Sequence, residues 1–166
     1  MSCRARELNA FLRRGDSHYG SQVDYRGMRE ARLASGALSL VVSDASRPRA
    51  LAIVDALESA LRKRRFLKGG RDESRFIVEG VELHLRLSER ADRTPRPKKK
   101  RRSEDDIWLL TRENDYAPSG VLQLRVISGD ISTPSIERRL VEDEEKPLEE
   151  SLNEVMVLLV EVAVKS

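Results

Sequence analysis

The sequence has little of what most metal and redox sites require, since its 166 residues include one cysteine and two histidines. Cys3 alone cannot form an intramolecular disulfide, which favours a reducing compartment. A zinc site would need several further ligands, and the two histidines lie far apart in the sequence. We therefore expect no metal ion and no other cofactor.

Long apolar runs are also missing. The longest ones, such as residues 155–160, are far shorter than the roughly 20 residues that a membrane span requires. The first residues do not show a basic segment followed by an apolar one, as a secretory signal would. The sequence thus predicts a cytoplasmic protein that does not enter a membrane.

The composition is rich in charge, with 36% charged, 39% hydrophobic and only 4% aromatic residues. A chain of this length can bury one core, but this composition leaves some segments outside it. We predict a short helix and an irregular arm over residues 1–36. A single α+β domain follows over residues 37–166, with a flexible basic loop at residues 91–106.

Hydrophobic periodicity predicts the elements of this domain. A helix begins near Ser46, where serine can cap the helix and Pro48 suits its first turn. Strands are expected over 37–43, 75–78, 81–87, 107–111 and 121–127, turns at 79–80 and 114–120, and further helices over 4–14 and from Lys146. This order predicts a mainly antiparallel sheet of about five strands, with two main helices packed on one face.

A run of cations is the most distinctive local feature. It follows two prolines, so it cannot be a central strand, and it would bind phosphates by releasing counterions. The candidate nucleic-acid-binding residues are Arg96, Lys98, Lys99, Lys100, Arg101 and Arg102. A solvated loop without a ligand and a nuclear localisation signal are alternative interpretations of the same run. Trp108 is the only nearby aromatic residue that could stack on bases, and its apolar neighbours favour packing instead.

Acidic residues around the predicted strand ends suggest a metal-dependent nuclease as an alternative, because carboxylates hold the divalent ions of such enzymes. The residues are Asp44, Asp72, Glu73, Glu79, Glu82 and Glu89. No glutamate with a lysine two residues later follows them at a convincing spacing. Neither His18 nor His84 has metal-ligand spacing, and we assign no catalytic residue.

Five stretches between Ser46 and the C-terminus carry a resemblance. They are residues 49–57 (RALAIVDAL), 78–81 (VEGV), 87–93 (LSERADR), 116–120 (YAPSG) and 147–152 (PLEESL). In these stretches the chain resembles the C-terminal region of a group of uncharacterised bacterial proteins, whose longer members carry an N-terminal helix-turn-helix-like segment. The given sequence shows no such segment, and a tryptophan expected between Gly129 and Val141 is absent. The resemblance implies a bacterial setting and this order of elements, but no catalytic residue.

These observations together favour a non-enzymatic bacterial binding or assembly module that touches DNA or another nucleic acid through the basic loop. A second copy of the chain or another protein is the alternative partner. A nuclease-derived domain and a purely protein–protein interaction domain remain the competing functions.

Overall fold

The structure is a computed structural model, and it describes residues 2–13, 23–32, 37–68, 75–95, 114–129, 134–143 and 145–166. Three helices and seven strands lie within these ranges. The helices are α1 (Cys3–Arg13), α2 (Arg47–Lys63) and α3 (Leu152–Lys165). The strands are β1 (Arg29–Arg32), β2 (Leu38–Val42), β3 (Leu67–Lys68), β4 (Arg75–Val78), β5 (Val81–Pro95), β6 (Asn114–Gly129) and β7 (Pro134–Val141). The predicted α+β class is therefore confirmed.

Strand β5 is the centre of one mixed sheet. Along one edge it pairs first with β4, antiparallel, and then with β2, which is parallel to it. Along its other edge it pairs with β6, and β7 then pairs with β6. The short strands β1 and β3 pair with β2 and β4. Only the β2–β5 pair among these described strands is parallel, so the expectation of a mainly antiparallel sheet holds.

The core lies on one face of this sheet. Leu85 and Leu87 of β5 point to this face between Leu38 and Leu40 of β2 on one side and residues of β6 on the other. All three helices contribute apolar residues to the same buried cluster. Side chains alternate between the two faces along a strand. The polar residues between these leucines therefore point to the opposite face of the sheet.

Helix α2 forms as its sequence predicts. Its predicted apolar face is buried and consists of Ala50, Ile53, Val54, Leu57 and Leu61. Ser46 does occupy the N-cap position, but its side chain makes no capping hydrogen bond. The hydroxyl of Ser43 instead accepts a hydrogen bond from the Ser46 amide at 3.2 Å. The helix start is therefore fixed by the end of the preceding strand.

The predicted hairpin between β4 and β5 is confirmed, with Val78 paired to Val81 across a two-residue turn. Glu79 and Gly80 both have positive φ, at 48° and 85°. Two successive residues with positive φ are typical of the type I′ turn that matches the twist of the flanking strands.

Helix α1 is held against α2 by a buried ion pair. Nη1 of Arg4 donates to Oε1 of Glu58 at 2.7 Å, and the two side chains are only 7% and 4% exposed. Arg62 donates to the same oxygen from the next turn of α2. The N-terminal helix thus shares the core of the domain.

Several predicted elements need correction. The arm predicted to be irregular contains strand β1, and the turn predicted at residues 114–120 is the first part of strand β6. The loop predicted at residues 91–106 is strand as far as Pro95, because residues 91–95 pair with residues 114–118. Residues 96–106 and the strand predicted at 107–111 lie outside the described residues.

Two further differences concern the C-terminal third. Strand β7 was not expected, because its Glu137, Arg138 and Arg139 interrupt the apolar alternation. Charges are common on such edge strands, which need protection from pairing with other chains. Helix α3 begins at Leu152 rather than near Lys146, although Leu148 is fully buried in the turn before it. No helix within the described ranges is long and apolar enough to cross a membrane.

Candidate nucleic-acid interface

The predicted nucleic-acid-binding residues lie outside the described part of the chain. They are Arg96, Lys98, Lys99, Lys100, Arg101 and Arg102. The residues on either side of the stretch 96–113, which contains them, are described, and Pro95 of β5 pairs with Asn114 of β6. The segment between these two residues therefore starts and finishes at the same tip of the β5–β6 hairpin.

The outer part of this hairpin is a two-stranded ribbon, formed by residues 91–95 and 114–118. Among the described strands, no other strand pairs with these residues, since β2 reaches β5 only as far as Ser88 and β7 reaches β6 only from Gln123. Most of the ribbon side chains are exposed to solvent. The hairpin thus continues beyond the sheet as a narrow, accessible element.

The ribbon leaves the sheet at a bulge that Glu89 stabilises. Between the pairs Glu89–Leu122 and Ala91–Pro118, a single residue of β5 faces residues 119–121 of β6. The buried Glu89 carboxylate accepts hydrogen bonds from the amides of Ser43 and Gly120, both at 2.8 Å. One side chain therefore links the end of β2 to the bulge. Extra residues of this kind bend a strand and increase its twist.

The turn before β1 supports the ribbon from the side. The rings of Tyr25 and Tyr116 meet edge to face, with centroids 5.4 Å apart. The turn itself is closed by Asp24, whose Oδ1 accepts from the amides of Arg26 and Met28 at 2.8 and 3.1 Å. Burial alone would raise the pKa of Asp24, but these hydrogen bonds and the one from the Arg26 side chain hold it below its ordinary value.

The sheet face opposite to the helices carries a row of arginines. The register aligns four of them on four strands at the same level, with Ser39 of β2 between the first two. They are Arg32 of β1, Arg86 of β5, Arg125 of β6 and Arg139 of β7. We call this surface, around Arg32, Arg86, Arg125 and Arg139, the arginine face. No helix of the described residues packs on it.

Two of these arginines are neutralised by carboxylates on the same face. Nε of Arg32 donates to Glu30 at 2.7 Å, and Nε of Arg125 donates to Glu137 at 2.8 Å. The pKa of Glu137 lies below its ordinary value chiefly because of the hydrogen bonds from Arg125. Both pairs are partly exposed, so each contributes little to stability.

Arg86 differs from its neighbours, because within the described residues it forms no hydrogen bond and no ion pair. It is half-buried in the middle of the row. Burial is the main cause that lowers the pKa of its guanidinium; the charge of Glu30 opposes it, and the charges of Arg125, Arg32 and Arg26 lower the pKa further. Three arginines and one carboxylate thus act on the protonated side chain, and such an excess of positive charge attracts anions.

Sequence reasoning missed the arginine face. The only available signal was that Arg86 and Arg125 each stand between two residues of an apolar alternation, at 85 and 87 and at 124 and 126. That pattern predicts a polar second face but gives no register. Four side chains from four strands can be aligned only once the strand pairing is known.

The carboxylates of the nuclease hypothesis do not converge. Glu79 is exposed at the hairpin turn, Glu82 belongs to the face opposite to the helices, and Glu89 is buried on the core face. Within the described residues, no group of three or more histidine, cysteine, aspartate or glutamate side chains could hold a metal ion. His18, Asp72 and Glu73 lie outside those residues.

The described residues define a class of protein: an α+β domain in which the three helices α1, α2 and α3 pack on one face of a mixed sheet and a two-stranded ribbon extends from its central strands. Comparison with models of protein families, with curated proteins and with solved structures finds no match for this chain.

Proposed function

We propose that this chain is a non-enzymatic bacterial module that binds duplex DNA with the β5–β6 ribbon and with the basic segment 96–102, which follows β5 in the sequence. The observation that carries the proposal is the pairing of Pro95 with Asn114, because the residues on either side of the stretch 96–113, which contains that segment, meet at the end of an exposed ribbon. The resemblance supports the bacterial setting, and the run of five cations at residues 98–102 supports the choice of DNA. The single cysteine favours the reducing cytoplasm.

The dimensions of the ribbon suit this partner. The major groove of B-form DNA accepts an α-helix or a two-stranded β-ribbon. The outer part of the β5–β6 hairpin is a two-stranded ribbon with five residues on each strand. Five consecutive cations from Lys98 to Arg102 would then face the phosphate backbone. Such contacts release counterions, and they provide affinity without reading the base sequence.

The test is a salt series of binding to a short DNA duplex, measured by fluorescence anisotropy. The slope of log affinity against log salt should become shallower by about 0.9 for each phosphate that a variant no longer neutralises. We therefore expect replacement of residues 98–102 by alanine to weaken binding and flatten the slope. A single-stranded oligonucleotide of the same sequence shows whether the duplex is preferred.

A matched control removes the same charge from another surface. Lys99→Ala/Lys100→Ala is compared with Lys63→Ala/Arg64→Ala, which removes two exposed cations from the end of α2. The first pair should flatten the slope and the second should leave it unchanged. An equal decrease in affinity for both would mean that only net charge matters, and an unchanged slope in the fivefold variant would refute the role of the segment.

A further inference from the structure

We infer that the arginine face contains a phosphate-binding site centred on the guanidinium of Arg86. The inference does not depend on DNA binding by the ribbon. The ligand is a phosphate group, carried either by a small phosphorylated molecule or by a nucleic-acid backbone. Its recognition would come from Arg86, with the flanking Arg32 and Arg125 adding positive potential.

The first argument is that Arg86 forms no ion pair within the described residues, although Glu30 is near enough to act on its charge. Arg26, Arg32 and Arg125 surround it, and each of these three already has a carboxylate partner. Arg86 is the member of this group that is half-buried and has no such partner within the described residues. A partly desolvated charge is unfavourable unless it is paired. Binding of an anion from solution would therefore offset the desolvation cost of Arg86.

The geometry of the row is the second argument. Arg86 pairs in register with Arg125 on one side and with Ser39 on the other, and Ser39 pairs with Arg32. Neighbouring strands lie about 4.8 Å apart. Guanidinium groups from three strands can therefore approach one tetrahedral group from different directions. The planar guanidinium also offers two parallel N–H donors to a phosphate or a carboxylate.

The neighbouring row supplies further polar groups. Ser88 and Gln123 pair directly opposite each other, and Nε2 of Gln123 donates to Oγ of Ser88 at 3.1 Å. Val41, which pairs with Ser88, and Ile127 are buried on this face. Apolar surroundings reduce the local dielectric constant and so strengthen the attraction between Arg86 and an anion.

Phosphate is favoured over a carboxylate by charge. Phosphate carries up to two negative charges near neutral pH and has oxygens for more than one arginine, whereas a carboxylate matches one guanidinium. Two of the flanking arginines are in exposed pairs with Glu30 and Glu137, and such pairs are weak enough to rearrange around a stronger anion.

The experiment uses the full chain and inorganic phosphate as the probe. Thermal unfolding is followed while phosphate replaces chloride at constant ionic strength, because a ligand of the native state raises the unfolding temperature with its concentration. Arg86→Gln is compared with Arg64→Gln, which removes the same charge from the exposed end of α2. Phosphate also stabilises proteins non-specifically, and this part of the effect is common to both variants.

We expect wild type and Arg64→Gln to show the same rise, and Arg86→Gln to require at least about tenfold more phosphate for the same shift. Arg86→Lys should be intermediate, because lysine keeps the charge but not the two parallel donors. Equal responses of Arg86→Gln and Arg64→Gln would overturn the site. Equal stabilisation of the wild type by acetate would overturn the choice of phosphate.

A second measurement does not depend on a variant that folds. The Arg86 Nε–Hε resonance of the wild-type protein should shift on titration with inorganic phosphate. A resonance whose chemical shift does not change would contradict the proposal. The source of the phosphate group is then distinguished by repeating the titration with a DNA duplex and with a nucleoside monophosphate. If residues 98–102 are replaced by alanine, the phosphate response should survive, so the failure of one proposal leaves the other testable.

Discussion

Arg86 of β5 lies directly opposite Arg125 of β6, at the same level of two neighbouring strands. Like charges at opposite positions of an antiparallel pair are destabilising. The charge of Arg125 is compensated by its ion pair with Glu137, whereas Arg86 forms no ion pair within the described ranges. The sheet therefore tolerates an unfavourable residue at its centre, as proteins commonly do at sites that serve a ligand.

We expect Arg86→Met to raise the free energy of unfolding by about 1 kcal/mol in chloride buffer, because it removes this repulsion and keeps the apolar stem. Urea unfolding followed by circular dichroism measures the change. Arg125→Met is the control, since it also removes the repulsion but leaves Glu137 without its partner, and it should give no gain. A lower stability of Arg86→Met would show that Arg86 has a favourable structural role.

Glu142 connects three parts of the fold, and its side chain is only 6% exposed. It accepts hydrogen bonds from the amides of Leu122 and Leu148, and from both terminal nitrogens of Arg49. We expect Glu142→Gln to lower the free energy of unfolding by about 3 kcal/mol, because it breaks a buried charged network. Glu149→Gln removes the second, more exposed partner of Arg49 and should cost less than about 1 kcal/mol.

The stability of the protein should fall as the pH drops below the ordinary pKa of glutamate. Burial alone would raise the pKa of Glu142, but hydrogen bonds from Arg49, Leu122 and Leu148 hold it below its ordinary value of 4.5. Burial alone would also raise the pKa of Glu58, but hydrogen bonds from Ser2 and Arg62 and the charges of Arg4 and Arg62 hold this pKa below its ordinary value. A group whose pKa is lower in the folded state stabilises above its unfolded pKa, and this contribution disappears as the pH falls through the folded value.

Thermal unfolding between pH 7 and pH 2 should therefore show a constant midpoint above the glutamate range and a steep fall below it. The fall should be shallower in Glu142→Gln, since this variant has one titrating carboxylate fewer. A midpoint that stays constant through the acidic range would contradict the favourable interactions assigned to these carboxylates.

The β4–β5 turn contains a correctable strain. Glu79 has φ of 48°, in the left-handed region that disfavours residues with long side chains, and it is exposed. Glu79→Asn should raise the free energy of unfolding by about 0.5–1 kcal/mol, because asparagine tolerates this conformation and forms type I′ turns with glycine. Chemical denaturation measures the gain, with Glu79→Ala as the control that keeps the strain. Unchanged DNA binding in both variants would also separate Glu79 from any nucleic-acid site.

The sequence by itself determined the local elements whose signals agree with each other. The apolar face of α2, the hairpin around Glu79 and Gly80, and the alternation of β5 and β6 follow from side-chain periodicity and turn chemistry. The basic segment 96–102 is likewise visible in the sequence without a structure. Its role as a ligand of DNA stays a prediction.

The tertiary structure decided how distant segments meet. The stretch 114–118 has the composition of a turn, yet it is strand because residues 91–95 supply partners for its backbone groups. Strand β1 and strand β7 form for the same reason, at edges where charged side chains are tolerated. The arginine face depends on register alone, since a slip of one residue would send Arg86 to the core, and register is a property of paired strands that no single strand encodes.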